Sequence, residues 1–138
     1  MGDHTIKTWS TTQDVLALSS GEAEFYALVK CGSQALGLKE MMSDLGLDLR
    51  VHLKTDASAA LGIANRGGMG KVRHVEVSQL WMQQKVRNKE IKVVKVKGEE
   101  NLADALTKYV GKEVLDHHRE GTGLEIRGDR HELMPKAN

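Results

Sequence analysis

The chain has 138 residues, 40% hydrophobic and 28% charged, which suits one globular domain with a single core and is too short for two full ones. A net charge of +1 excludes a bulk basic field, so any nucleic-acid binding must come from a local patch. The lone cysteine, Cys31, excludes an internal disulfide and suits a reducing intracellular compartment, cytoplasmic or nuclear; no apolar run approaches a membrane span and no leader pattern opens the chain.

Residues 4–9 alternate around Ile6 and Trp9 and predict a short strand, followed by a polar turn at 10–14. Residues 15–18 extend briefly or lead straight into a helix cap. Ser19 and Glu22 form the S-x-x-E capping box of a helix over residues 21–45, whose apolar positions Phe25, Leu28, Val29, Leu36, Met41, Met42 and Leu45 recur every three or four residues. Gly32 and Gly37 weaken this helix by roughly 1 kcal/mol each and mark places of close packing. Gly46 is a suitable helix stop. Leu49, Val51 and Leu53 alternate with Arg50, His52 and Lys54, the pattern of a half-buried strand that closes at Thr55-Asp56. A helix over 57–65 follows, then the glycine-rich break Gly67-Gly68-Met69-Gly70. A third helix over 74–86 carries Val77, Leu80, Trp81 and Met82 as core candidates. After a turn at Asn88-Lys89, residues 91–97 read as a strand whose phase slips at Val93-Val94, predicting a bulge. Asn101 is an N-cap candidate for a helix holding Leu102, Ala103, Leu106 and Tyr109. Residues 112–118 suit a short helix, and beyond Gly121 the mix of charge, glycine and proline predicts a mobile tail. The order strand, helix, strand, helix, helix, strand, helix is an α/β pattern with a mainly parallel sheet between helices.

Glu24, Asp56 and Asp104 sit at the junction ends of three elements far apart in sequence. Asp56 lies at the carboxyl end of a strand, where α/β folds place their sites. If the three converge, their mutual repulsion calls for a cation. Mg²⁺, or Mn²⁺, takes oxygen ligands and retains waters, and two such ions about 3.5–4 Å apart serve phosphodiester hydrolysis. Each acid also has a plainer reading. Glu24 also reads as a solvated helix-start acid, Asp56 as an N-cap, Asp104 as an acid meeting the helix dipole. Between the neighbouring acids, Glu22 reads as the solvent-facing capping partner and Glu24 as the inward one. Lys71, Arg73, His74, Lys85 and Arg87 form either a basic strip for a phosphate backbone or a solvated helix face. His117, His118 and His131 lack the spacing of a familiar metal set. Trp81 fits core packing better than base stacking, and Cys31 reads as a small buried apolar residue.

The blocks Lys7-Thr8-Trp9-Ser10-Thr11-Thr12-Gln13, residues 17–25 (ALSSGEAEF), Lys54-Thr55-Asp56-Ala57-Ser58-Ala59-Ala60, Gly70-Lys71-Val72-Arg73-His74 and residues 101–108 (NLADALTK) resemble, in order and spacing, the ribonuclease H domain of copia-type retrotransposon polyproteins. The likeness covers about residues 4–110, leaving 111–138 as a C-terminal extension. It implies a ribonuclease H-like three-layer fold with a mixed sheet flanked by helices, and cutting of the RNA strand of RNA–DNA hybrids. It also implies that Glu24, Asp56 and Asp104 are catalytic metal ligands for Mg²⁺ or Mn²⁺, and that Lys71, Arg73 and His74 contact nucleic acid. Residues 4–9 match the family's third strand, so its first two strands and first catalytic Asp have no counterpart. Lys97-Gly98-Glu99 stands where some relatives carry a mobile His. The resemblance therefore implies a domain weak or inactive alone. The alternatives are a non-catalytic nucleic-acid-binding module, or an oligomerisation module that pairs exposed sheet edges as a homodimer.

Overall fold

The computed structural model describes residues 5–68 and 80–124. The chain divides into two compact units, Thr11–Asn101 and Met1–Ser10 with Leu102–Asn138.

The larger unit is α/β. Its elements are α1 (Ser20–Asp44), β1 (Val51–Thr55), α2 (Ser58–Asn65), α3 (Trp81–Arg87) and β2 (Ile91–Lys95). Ser19 caps α1 as its sequence predicts, accepting from the Glu22 N–H through Oγ at 3.2 Å. The helix ends in a Schellman motif. Gly46 takes φ +79°, its N–H donates to Ser43 O at 2.9 Å, and the Leu47 N–H donates to Met42 O at 2.9 Å. α3 ends the same way, with the Glu90 N–H on Lys85 O at 3.0 Å, but the left-handed position is held by Lys89 at φ 60°.

β1 and β2 pair in parallel, Val51 opposite Ile91 through Thr55 opposite Lys95, and the Val96 N–H extends the ladder to Thr55 O at 3.0 Å. The register is unbroken, so the predicted bulge at Val93-Val94 is absent: Val93 packs toward the core while Val94 lies half-buried on the other face. The second valine is simply an apolar residue facing outward. The sheet has two strands among the described residues. Val51, Leu53 and Ile91 point from it into a core with Phe25, Leu28 and Val29 of α1, Ile63 of α2 and Met82 of α3. Burying a side chain such as Phe25 contributes roughly 1.5–3 kcal/mol. Trp81 packs half-buried against this cluster, as expected. Gly32 stands where a Cβ would strike the Met82 methyl and come within 3.3 Å of Leu53. Gly37, by contrast, has nothing within 4 Å, so close packing applies to the first glycine alone.

The apolar stripe of α1 outruns its partners. Met41 and Leu45 are 51% and 70% exposed, because a helix rising about 1.5 Å per residue extends past a short strand. The strand predicted over residues 4–9 does not form across its described part, 5–9; Ile6 is 49% exposed and no neighbouring strand among the described residues pairs with it. Residues 15–18 likewise run unpaired into the cap, with Val15 and Ala17 toward the core. The predicted third helix is seen from Leu80 onward; residues 74–79 lie outside the described residues.

Among its described residues the smaller unit holds a 3₁₀ turn at Asp104–Leu106 and α4 (Lys112–Gly121). The helix expected after Asn101 is reduced to that turn, leaving Leu106 and Tyr109 exposed. His118 is buried, with Nδ1 3.1 Å from Leu102 O, and α4 closes on Gly123 at φ 67°. Thr5 Oγ1 donates to Thr122 O at 2.5 Å, and Lys7 Nζ lies 5.5 Å from the Trp9 ring centroid. The tail beyond residue 124 lies outside the described residues. No described helix is long and apolar enough to cross a membrane.

Candidate active site

Asp56 follows the last residue of β1, at the carboxyl end of the parallel pair. It does not cap α2. The side-chain acceptor there is Thr55, whose Oγ1 takes the Ala57 N–H at 3.1 Å, and α2 has no side-chain cap bond of its own. This frees the Asp56 carboxylate to face the turn after β2. Asn101 Nδ2 donates to Asp56 Oδ1 at 3.2 Å, and Gly98 presents its backbone so near that a Cβ there would sit 3.6 Å from Oδ2. Asn101 was expected as a helix N-cap. Its amide is instead directed at Asp56 from the turn after β2, six residues beyond the last residue of that strand.

The two glutamates of α1 exchange the roles their sequence suggests. Glu22 is 3% exposed, and its Oε2 accepts from the Leu18 N–H at 3.0 Å, whereas Glu24 is exposed. The capping box thus closes on the residue before the cap, which draws the Glu22 carboxylate inward. Glu24, two residues on, falls about 200° around the helix, away from Glu22.

Asp104 belongs to the smaller unit, where its Oδ2 lies 2.8 Å from Lys108 Nζ. Among the described residues no group of three or more His, Cys, Asp or Glu side chains is placed to hold a metal ion. Taken one by one, Asp56 is held by an amide, Asp104 is paired with a lysine, and Glu24 is exposed. Lys71, Arg73 and His74 lie outside the described residues. Of the remaining strip, Lys85 pairs with Glu90 at 2.6 Å, and Arg87 is exposed in the last turn of α3.

Gln83 gave no signal in the sequence beyond an amide on an apolar helix. It is 2% exposed and clamps the chain after α2. Its Nε2 donates to Ile63 O and Gly68 O, each at 2.9 Å, and its Oε1 accepts the Gly68 N–H at 2.9 Å. Cys31 is half-buried against the core, and burial pushes its thiol above the usual value, which suits an inert packing residue.

The chain is similar to the retrovirus-related Pol polyprotein from transposon TNT 1-94 of Nicotiana tabacum, 30% identical over 117 residues. That stretch is 83% of this chain and 9% of the relative, so the chain spans a small part of the polyprotein it matches. The likeness supports an origin in a retrotransposon polyprotein. No protein-family model and no solved structure matches the chain.

Proposed function

We propose that this chain is the ribonuclease H-type segment of a retrotransposon Pol polyprotein, acting on the RNA strand of RNA–DNA hybrids. Its acids would be Glu24, Asp56 and Asp104, its cofactor Mg²⁺ or Mn²⁺, and its nucleic-acid contacts Lys71, Arg73 and His74. The observation that carries this reading is Asp56: a carboxylate at the carboxyl end of a parallel strand, relieved of capping by Thr55 and oriented by Asn101. The segment's own residues position that carboxylate and leave Glu24 open to solvent. In this reading the segment is weak or inactive as a nuclease by itself.

The sheet, two-stranded among the described residues, favours a second reading, a non-catalytic module that binds nucleic acid or pairs with a second copy. One assay separates the two. A labelled RNA–DNA hybrid is incubated with the chain and with Asp56→Asn in Mg²⁺ or Mn²⁺. RNA-strand cleavage that disappears in Asp56→Asn supports the nuclease; equal cleavage by both removes Asp56 from the site. Hybrid binding without any cleavage favours the module, and light scattering then reports whether it pairs.

A further inference from the structure

We propose that the open face of the β1–β2 sheet is a docking surface for a nucleic-acid duplex, gripping the phosphate backbone through Lys54 and Lys92 with His52 and Arg50 beside them. Strand register puts these residues together. Val51 and Ile91 face the core, so the next register pair, His52 and Lys92, faces outward, followed by Lys54 opposite Val94. Arg50, His52, Lys54 and Lys92 are all exposed. Residues 49–55 and 91–97 contain no acid, although the chain as a whole is nearly neutral.

The pairing pattern sharpens the point. Lys85, Lys108 and Arg119 each meet a carboxylate on their own element or turn. Arg50, His52, Lys54 and Lys92 form no ion pair among the described residues. Cations without an ion pair among the described residues, gathered on one face, concentrate positive potential there. Alternate residues on a strand are about 6.6 Å apart and neighbouring strands about 4.8 Å apart, a spread suited to a row of phosphates rather than one small anion. The outward side chains of the two strands include no aromatic or large apolar group to enter a lipid surface; Val94 is half-buried. Contacts of this kind hold a backbone without reading its sequence.

The inference is independent of the nuclease reading, since it needs neither a metal nor any of the three acids. The experiment is fluorescence anisotropy of a labelled RNA–DNA hybrid in EDTA, where hydrolysis cannot contribute. It compares the unmodified chain, Lys54→Glu/Lys92→Glu, and a control of equal charge change, Lys30→Glu/Lys112→Glu, on α1 and α4. Circular dichroism checks that each folds, and Lys54→Gln/Lys92→Gln provides a milder pair. The sheet pair is expected to weaken binding roughly tenfold or more at low salt, and the milder pair to lower the slope of log affinity against log salt by about 2. The control is expected to bind like the unmodified chain. The inference is overturned if the hybrid does not bind, if the sheet pair binds as tightly as the unmodified chain, or if the control loses as much. Capture by phosphatidylserine vesicles that depends on the same two lysines, with none of the hybrid, would also overturn it.

Discussion

Asn101 and Asp56 meet across the carboxyl ends of the two strands, amide Nδ2 to carboxylate Oδ1 at 3.2 Å. The bond ties the turn after β2 to the end of β1 and orients the Asp56 carboxylate. Replacing each by Ala, singly and together, tests whether the pair acts as a unit. The double-mutant cycle in urea is expected to give a coupling of about 1 kcal/mol. Strict additivity of the two single losses would show that the amide does not hold the carboxylate.

Glu22 and Glu24 make a second comparison. Glu22 is buried and accepts the Leu18 N–H, while Glu24 is exposed. Truncating Glu22 to Ala removes a buried, charged acceptor and its hydrogen bond from the Leu18 N–H, for an expected loss of about 1.5–3 kcal/mol. Glu24→Ala should stay within about 0.5 kcal/mol of the parent, as surface substitutions do. Equal losses in denaturant titration would reverse the assignment of which acid faces inward.

What the sequence disclosed and what it hid follow one physical division. Local devices were legible: Ser19 as a cap, Gly46 as a stop, and the alternation of Val51, Leu53 and Thr55 each act within a few residues of themselves. Features that depend on a distant partner were not. Residues 5–9 alternate like a strand but have no described neighbour to pair with, and Asn101 had an equally good local use as a cap until Asp56 was seen beside it. The Glu22 and Glu24 exchange is the subtlest case. Ser19 caps the helix as the S-x-x-E spacing predicts, but the Glu22 carboxylate takes the Leu18 N–H and is drawn inward, which spacing alone does not determine. For the site, Asp56 at a strand end was visible in sequence; the company its carboxylate keeps was not.

Gly32 and Gly37 lie on the same helix and should respond to Ala with opposite sign. At Gly37 the new methyl meets open space, so the change gains helix propensity, about 0.8–1 kcal/mol. At Gly32 it strikes the Met82 methyl and crowds Leu53 and Ile91. The thioether end is flexible and yields in part, but overpacking of this kind typically costs about 1–3 kcal/mol and outweighs the propensity gain. Thermal melts should therefore move up for Gly37→Ala and down for Gly32→Ala. A rise for both would mean that Met82 swings clear without loss.

Glu90 contributes to the response to acid. Its hydrogen bond from Lys85, then that from Asn88, holds the carboxyl below its ordinary value of 4.5. A folded-state value that is depressed means the chain binds fewer protons folded than unfolded in this range, so stability rises with pH there. The contribution is present above the unfolded value and fades as the pH falls through the folded one. Comparing the parent with Glu90→Gln in urea from about pH 7 to about pH 3 should show a gap that narrows below about pH 4.5. More than a third of each side chain is exposed, so the gap is small and shrinks further in salt. A gap that widens on acidification would show that the Lys85 and Asn88 contacts do not favour the charged carboxylate.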